Sequence, residues 1–369
     1  MGYVAVKGGH QAIEASIERL KFERLKGQEI IEVKDIVAGM RGLIDQIMSE
    51  SSLYSEELAA LAIKQAEGNP EEAVFLLRAF RSTLPRKHET RVVQSSKGWV
   101  ERRISASFKD IPGGQILGAS HDYTQRLLDF DLLTETKQEA YEWLSAYETK
   151  VKNGDFSHLE KLPKVVDYLR EQGLLNTFEE NNEAPRDATK TNLEFPTTRS
   201  ERLQLLTRGQ TGAVVSLGYS ALRTFGAAHP NVGELRITNI PLQVTHPLFE
   251  EGDEDEDYYI GEIKITEVEA FITTEKKTSF GKTELEFSIG YGVCYGQNET
   301  KAIAMSILDH ALEVPDGDAP ANNEEFVLFS IETVESTGFI SHLKLPHYVT
   351  FQSKLDNARN IAEKGGSES

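Results

Sequence analysis

The sequence predicts an α+β fold: a helical N-terminal layer followed by a mainly antiparallel mixed sheet with packed helices. Two observations carry this. Apolar residues recur at helical spacing through roughly the first 85 positions, and from Trp99 the period shortens toward that of strands. The strand-like runs of the second half are not separated one by one by helices, so a parallel crossover sheet is not expected.

Taken in order, Tyr3-Val4-Ala5-Val6 reads as a short strand, and Lys7-Gly8-Gly9 turns it into a helix carrying Ile13, Ile17 and Leu20 on one face. A second amphipathic pattern runs through Val33, Ile36, Val37, Met40, Ile44 and Ile47, and a third through Leu58, Leu61, Ala62 and Gln65. The fourth helix has the clearest start, with Asn69 as cap, Pro70 at the first helical position and Glu72 three residues after the cap. Pro85 sets its end. Val100, Arg102, Ile104 and Ala106 alternate as a strand, and Ile111-Pro112-Gly113-Gly114 forces a turn. His121 to Leu133 is helix-like, and Thr134 to about Asn153 is a polar amphipathic helix. Leu235, Ile237 and Ile240 lead a strand to Val244, Tyr258–Ile272 and Leu285–Tyr295 read as paired strands, and Thr300–Leu312 reads as a helix. Phe326–Ile331 reads as a buried strand and Val349–Ala362 as a closing helix.

These elements suggest a helical region over 1–98, a central polar-motif region with helices over 99–180, and an α+β C-terminal domain over 199–369. The Asn-, Thr- and Pro-rich stretch from Asn181 to Thr198 is the candidate linker. A length of 369 residues is ample for two or three folded units. With 59 acidic and 40 basic side chains the formal charge is −19, which argues against general nucleic-acid or membrane-surface binding. No apolar run is long enough to span a bilayer, and no signal or lipidation pattern opens the chain, so a cytoplasmic location is expected. The single Cys294 excludes an internal disulfide framework and an iron–sulfur cluster held by this chain alone. The acidic run from Glu250 to Asp257 reads as a solvated loop, since it lacks the spaced ligands of an EF-hand.

Three stretches could carry chemistry. The Lys7-Gly8-Gly9 turn offers backbone N–H groups to a phosphate, or is simply a glycine turn with a solvated lysine. Between Glu101 and Phe130, the cations Arg102, Arg103 and Lys109 sit beside the Gly113-Gly114 turn, with Arg126 further on. That set suits a polyanionic small molecule, or is an ion-paired scaffold. Asp110, His121 and Asp122 could supply acid, base or magnesium contacts there. His342 and His347 lie five apart around Pro346, sharing no face of a helix or strand. A bend at Pro346 would let both imidazoles reach one zinc ion, although two structural histidines are the plainer alternative. No hydrolase elbow, zincin or kinase signature is present.

At these stretches the chain resembles PhnI, a core subunit of the bacterial carbon–phosphorus lyase system. The resemblance is carried by Val4-Ala5-Val6-Lys7-Gly8-Gly9, Glu57 to Ala62, Ala73 to Arg81, Glu101 to Ala106 and Lys109 to Gly114. It continues through Asp122-Tyr123-Thr124, Glu324 to Leu328, Gly338-Phe339 and the whole His342 to Tyr348 run, in family order. It implies a subunit that works with PhnG, PhnH and PhnL to replace the base of ATP with methylphosphonate. The products are α-D-ribose 1-methylphosphonate 5-triphosphate and adenine, and the family alone acts as a purine nucleosidase on ATP or GTP. The resemblance leaves C–P bond cleavage to PhnJ, and it carries a zinc ion onto His342 and His347. On this reading magnesium accompanies the nucleotide, and Asp110, Asp122, Glu324 or Glu325 would stabilise oxocarbenium character at the sugar. Arg102, Arg103, Lys109 or the metal would offset the crowded anions. The alternative is a non-catalytic scaffold subunit of the same complex.

Overall fold

The computed structural model describes residues 9–152, 162–175, 183–224, 229–245, 257–277, 283–313, 319–344 and 348–366. Helices α1 (Gly9–Leu25), α2 (Val33–Gly39), α3 (Arg41–Ser51), α4 (Glu56–Gln65) and α5 (Pro70–Ser82) come first. Strand β1 (Trp99–Ile104) follows, then α6 (Lys137–Lys152), α7 (Val165–Glu171), α8 (Arg199–Arg208) and α9 (Thr211–Thr224). Next come β2 (Asn231–Val244), β3 (Tyr258–Lys277), β4 (Thr283–Tyr295) and α10 (Glu299–Glu313). The chain closes with α11 (Glu324–Ser330), α12 (Thr333–Ser341) and α13 (Tyr348–Gly366). The architecture is α+β.

Two compact units form. The first takes the chain up to Thr83, Arg208–Gln210 and everything from Leu328 onward. Its helices α2 to α5 bury Ile36, Ile44, Ile47, Met48, Ala59, Ala60, Ile63, Val74 and Leu77. The Asn69 side chain accepts the Glu72 N–H at 2.8 Å, and Pro70 opens α5, as the sequence predicts. Arg78 ties this unit together: it donates to the Glu50 carbonyl at 3.0 and 2.8 Å, to the Arg208 carbonyl at 2.9 Å, and pairs with Glu332. Gln210 N–H donates to Ile331 O at 2.7 Å. Contacts so distant in sequence join the N-terminal helices to the C-terminal ones, which a linear division into regions does not reveal.

The second unit covers Leu84–Thr207 and Thr211–Val327. Its sheet has the order β1-β2-β3-β4, with every pairing antiparallel. On one face α10 lies hard against β4, because Gly290 and Gly292 have no side chains there: a Cβ on either would sit 2.0 Å from a carbonyl oxygen of α10. Gly218 of α9 meets Ala304 of α10 in the same way. Side chains meet the outer edge of β4 near its C-terminal end: Tyr291 N–H donates to Asp309 at 2.9 Å, and Thr207 donates to Val293 O at 2.9 Å. On the other face α7 brings Val165 and Val166 to Ile111, Leu175 and Phe271. The stretch 183–198 has no helix or strand, as expected of a linker, yet both its flanks belong to this unit.

Three elements depart from expectation. The pattern from Val33 to Ile47 is broken at Met40 into α2 and α3, since Met40 takes a non-helical φ of −121°. His121–Leu133 is not a helix but two short 3₁₀ turns, His121–Tyr123 and Phe130–Leu133. Arg126 interrupts it at φ 56°, and Leu127, Leu128, Leu132 and Leu133 are all exposed, so no packed face holds a helix together. Phe326–Ile331 is helical rather than extended, because Asn323 accepts the Phe326 N–H at 2.8 Å and starts α11. Val327, Leu328 and Ile331 are buried at helical spacing, and a short apolar run cannot be typed by periodicity alone. The sheet, expected to be mainly antiparallel, is antiparallel in every pairing among the described residues.

Candidate functional site

The residues singled out from sequence are in part engaged in ion pairs, in part exposed and in part outside the described residues. Lys7, Gly8 and His347 fall outside the described residues, as do the expected strand Tyr3-Val4-Ala5-Val6 and the acidic run apart from Asp257. Gly9 opens α1 at φ 58°. Arg102 and Arg103, adjacent on β1, point to opposite faces of the sheet, and both are buried. Arg102 pairs with Glu299 at 3.2 Å and with Asp122, and Asp122 also faces Arg126 at 3.6 Å. Arg103 donates to the carbonyls of Pro112 and Pro163 at 2.8 and 3.1 Å and faces Glu234 at 2.7 Å. Two guanidiniums so engaged hold the protein to itself. Lys109 and Asp110 are exposed in the turn after β1, and Gly113 and Gly114 adopt φ values of 82° and 57° that only glycine takes freely. Glu324 accepts from Thr197 and from Arg202 at 3.3 Å, while Glu325 is exposed. In the first unit, the Nδ1–H of His342 is donated to the Phe339 carbonyl, which leaves Nε2 as the acceptor of the ring.

A different set converges on the sheet face opposite α10. Register puts Glu234 of β2 beside Glu269 of β3, and Arg236 of β2 beside Glu267 of β3, with Tyr291 of β4 next to Glu269. The segment entering α7 lies over them. Lys164 Nζ donates to Glu269 at 2.6 Å and to Glu267 at 3.0 Å, while Arg236 donates to the carbonyls of Leu162 and Pro163 and to Glu234. Glu267 also accepts from Tyr291 Oη at 2.7 Å and from Ser95 at 3.0 Å. Arg103, Arg236 and Lys164 thus face Glu234, Glu267 and Glu269, three cations against three anions withdrawn from water. Charges survive such burial only when paired and hydrogen-bonded.

The pairing is uneven, and the electrostatics follow. Burial opposes ionisation of Glu267, but Lys164, Tyr291 and Ser95 together hold its pKa below the ordinary value. Burial pushes Glu269 up to about 7, against the pull of Lys164 and with the help of Glu267. Lys164 is disfavoured by burial, yet the two carboxylates keep its pKa raised. Burial and the neighbouring Glu267 push the Tyr291 phenol well above its usual range. Two adjacent carboxylates driven apart in this manner are the arrangement by which proteins separate an acid from a base.

Beside this network lies a cleft of about 530 Å³ among α7, α8, β3 and β4. Leu203, Ile289 and Tyr291 form apolar walls, Glu269 also lines it, and Arg170 and Arg199 bring guanidinium groups, paired with Asp167 and Asp309. Arg199 is fixed by a bidentate pair with Asp309 at 3.1 and 2.6 Å, which raises its pKa. The volume is that of a small-ligand pocket. None of Lys164, Glu267, Glu269, Tyr291 or Arg199 stands out in the sequence. Alternation of charged and apolar residues in Glu234-Leu235-Arg236-Ile237 and Glu267-Val268-Glu269-Ala270 reads as one solvated face. The available signal was that opposite charges recur on two strands that pair.

Fold and site together define an α+β protein that holds buried carboxylates against a cationic, small-ligand cleft. The chain belongs to the family described as "Bacterial phosphonate metabolism protein (PhnI)", which it matches over residues 2–365. It is 39% identical over 384 residues to the alpha-D-ribose 1-methylphosphonate 5-triphosphate synthase subunit PhnI of Rhizobium meliloti, covering 99% of this chain and 98% of that one. It is 38% identical over 374 residues to the protein of the same name from Escherichia coli, covering 98% and 99%. A protein of Stutzerimonas stutzeri named as a C-P lyase subunit, HtxH, is 41% identical over 374 residues, covering 100% and 98%. Among the described residues no helix is long and apolar enough to cross a membrane.

Proposed function

We propose that this chain is the carbon–phosphorus lyase subunit that replaces the base of ATP with methylphosphonate, giving α-D-ribose 1-methylphosphonate 5-triphosphate and adenine. On this reading it acts with PhnG, PhnH and PhnL, it hydrolyses ATP or GTP to ribose 5-triphosphate and base when alone, and PhnJ cuts the C–P bond later. The observation that carries the proposal is end-to-end similarity to two proteins named as subunits of that synthase.

The chemistry asks for cations against the triphosphate and phosphonate, a wall for the base, and a carboxyl group near the leaving bond. The cleft beside α8 supplies all three, and the proposal gives it to the nucleotide, with magnesium on the phosphates. Arg102 and Arg103 are withdrawn from phosphate binding because their guanidiniums are spent inside the protein. Lys109 and Arg126, both exposed, remain for an anion approaching the turn after β1. Asp110 and Glu325 are open to solvent, whereas Asp122 and Glu324 are already held by arginines. His342 fits a zinc ligand, since donation from Nδ1–H to a carbonyl orients the ring and presents Nε2. With His347 it would hold the ion, which supplies Lewis acidity toward a phosphonate or phosphate oxygen, or joins subunits.

Purified chain, alone and with PhnG, PhnH and PhnL, is incubated with ATP and methylphosphonate, and free adenine and the phosphonate ester are followed by chromatography and phosphorus NMR. Adenine release that depends on the chain supports the proposal; none in either condition overturns it. A scaffold role is the second reading, favoured by α1, where Ile13, Ile17, Leu20 and Phe22 are exposed and nothing is buried. Normal assembly with loss of base release in Asp110→Asn, Asp122→Asn or cleft variants excludes it.

A further inference from the structure

We propose that Glu269 is the acid that protonates the departing purine, with Lys164 and Glu267 as the residues that position and tune it. This rests on the nucleotide-exchange reading above and adds to it the group that takes the leaving base out of the reaction.

The argument begins with an unmet hydrogen bond. Glu269 is 8% exposed and lines the cleft. Its Oε1 is taken by Lys164 at 2.6 Å, while Oε2, like Oε2 of Glu267, is buried with no hydrogen-bonding partner among the described residues; of these two carboxylates it is Glu269 that lines the cleft. A buried carboxylate oxygen left so is costly, and one remedy is to carry a proton. Glu269 does so readily, since burial and the adjacent Glu267 place its titration at about pH 7. A carboxylic O–H then needs an acceptor, and the cleft is where a ligand can bring one. A phosphate oxygen is a poor choice, because its charge would stand against Glu267 and Glu234 as well. A neutral ring nitrogen is a good one. The walls agree: Leu203, Ile289 and the Tyr291 ring suit a flat heterocycle, while Arg170 and Arg199, which line the same cleft, suit the phosphates of the same molecule.

Glu267 behaves as the opposite member of the pair. Three donors, Lys164, Tyr291 and Ser95, keep it ionised, so it raises the proton affinity of Glu269 without competing for the substrate. Lys164 bridges the two and fixes the Glu269 carboxyl through one oxygen.

In the step itself, the C1′–N9 bond breaks and its electron pair stays with the purine. The Glu269 proton passes to a purine ring nitrogen, so the base leaves neutral, while a phosphonate oxygen lone pair forms the new bond to C1′. Glu269 is left as a carboxylate beside Lys164 and recovers a proton from solvent. With methylphosphonate dianion as nucleophile the net reaction consumes that one proton, and charge balances. Acid assistance of this kind is worth about 10²–10⁴-fold in rate.

The test compares wild type and Glu269→Gln, full chain with its partner subunits, on two substrates. One is ATP; the other is ribose 5-triphosphate bearing 4-nitrophenol at C1, whose leaving group departs without a proton. We expect kcat for adenine release to fall at least 100-fold in Glu269→Gln with KM for ATP changed less than threefold. Nitrophenolate release should fall less than fivefold. The wild-type rate with ATP should decline above about pH 7, and the variant should lose that limb. Leu203→Trp, which fills the cleft and leaves the carboxylates alone, should weaken ATP binding at least tenfold. Adenine release at the wild-type rate in Glu269→Gln, or equal losses on both substrates, overturns this assignment while the exchange function stands. If wild type releases no adenine, both readings fall together. Should Glu269→Gln fail to fold, unchanged ATP binding by Leu203→Trp overturns the site by itself.

Discussion

At the scale of residues, the second unit is organised by what each carboxylate can accept. Glu267 and Glu269 lie two apart on one strand and share the Lys164 ammonium, yet one has three donors and the other has one. That difference has a consequence for stability as well as chemistry. Glu269 titrates at about 7 in the folded protein against 4.5 in the unfolded chain. Between those values the folded state holds a proton that the unfolded state has released, so the free energy of unfolding falls as pH rises through the window. Glu269→Gln, neutral throughout, removes this contribution. Urea denaturation at about pH 5 and pH 7.5 should find the variant gaining stability relative to wild type at the higher pH; a constant difference would contradict the raised pKa.

At the scale of elements, the sheet has two faces buried for different reasons. Toward α10 the strands carry small or apolar residues, and Gly290 and Gly292 let the helix backbone approach β4. Toward α7 they carry charge. Gly292→Ala would place a Cβ 2.0 Å from the Ala302 carbonyl, so α10 must shift away from the strand. We expect a loss of about 1–3 kcal/mol or more in urea unfolding, the range for overpacking a core. Such a shift would also strain the Asp309 bond to the β4 edge, and through it the seat of Arg199. A variant as stable as wild type would show that the helix has slack here.

At the scale of the whole molecule, each unit brings a distinct chemical resource. The second has the cleft and its carboxylates, and the first has His342 at the end of α12, with a hollow of about 760 Å³ between α5 and α12. Zinc ordinarily takes three or four ligands, and among the described residues no group of three His, Cys, Asp or Glu side chains is placed to hold a metal ion. On the proposed zinc reading, the ligands beyond His342 and His347 would come from elsewhere, another chain included. Replacing both by Ala should bring zinc to background in the assembled complex, as read by elemental analysis. Unchanged stoichiometry would remove the assignment.

How much of this was legible in the sequence depended on the range of the interactions. The start of α5 was readable because Asn69, Pro70 and Glu72 act within one turn, and the strands from Leu235 to Tyr295 were readable because their alternation is local. The family itself was legible in the strings that the chain shares from Val4 to Tyr348. The folding of His121–Leu133 and Phe326–Ile331 was not, since local spacing there fitted a helix or a strand and only packing chose. The sequence alone therefore determined the α+β class, most helices and strands, and the family. Tertiary structure decided that Arg102 and Arg103 turn inward and that Lys164, Glu267, Glu269 and Tyr291, separated by as much as a third of the chain, meet on one dry sheet face. Strand register and burial are collective properties, and the energy of a buried charge depends on neighbours that no local pattern names.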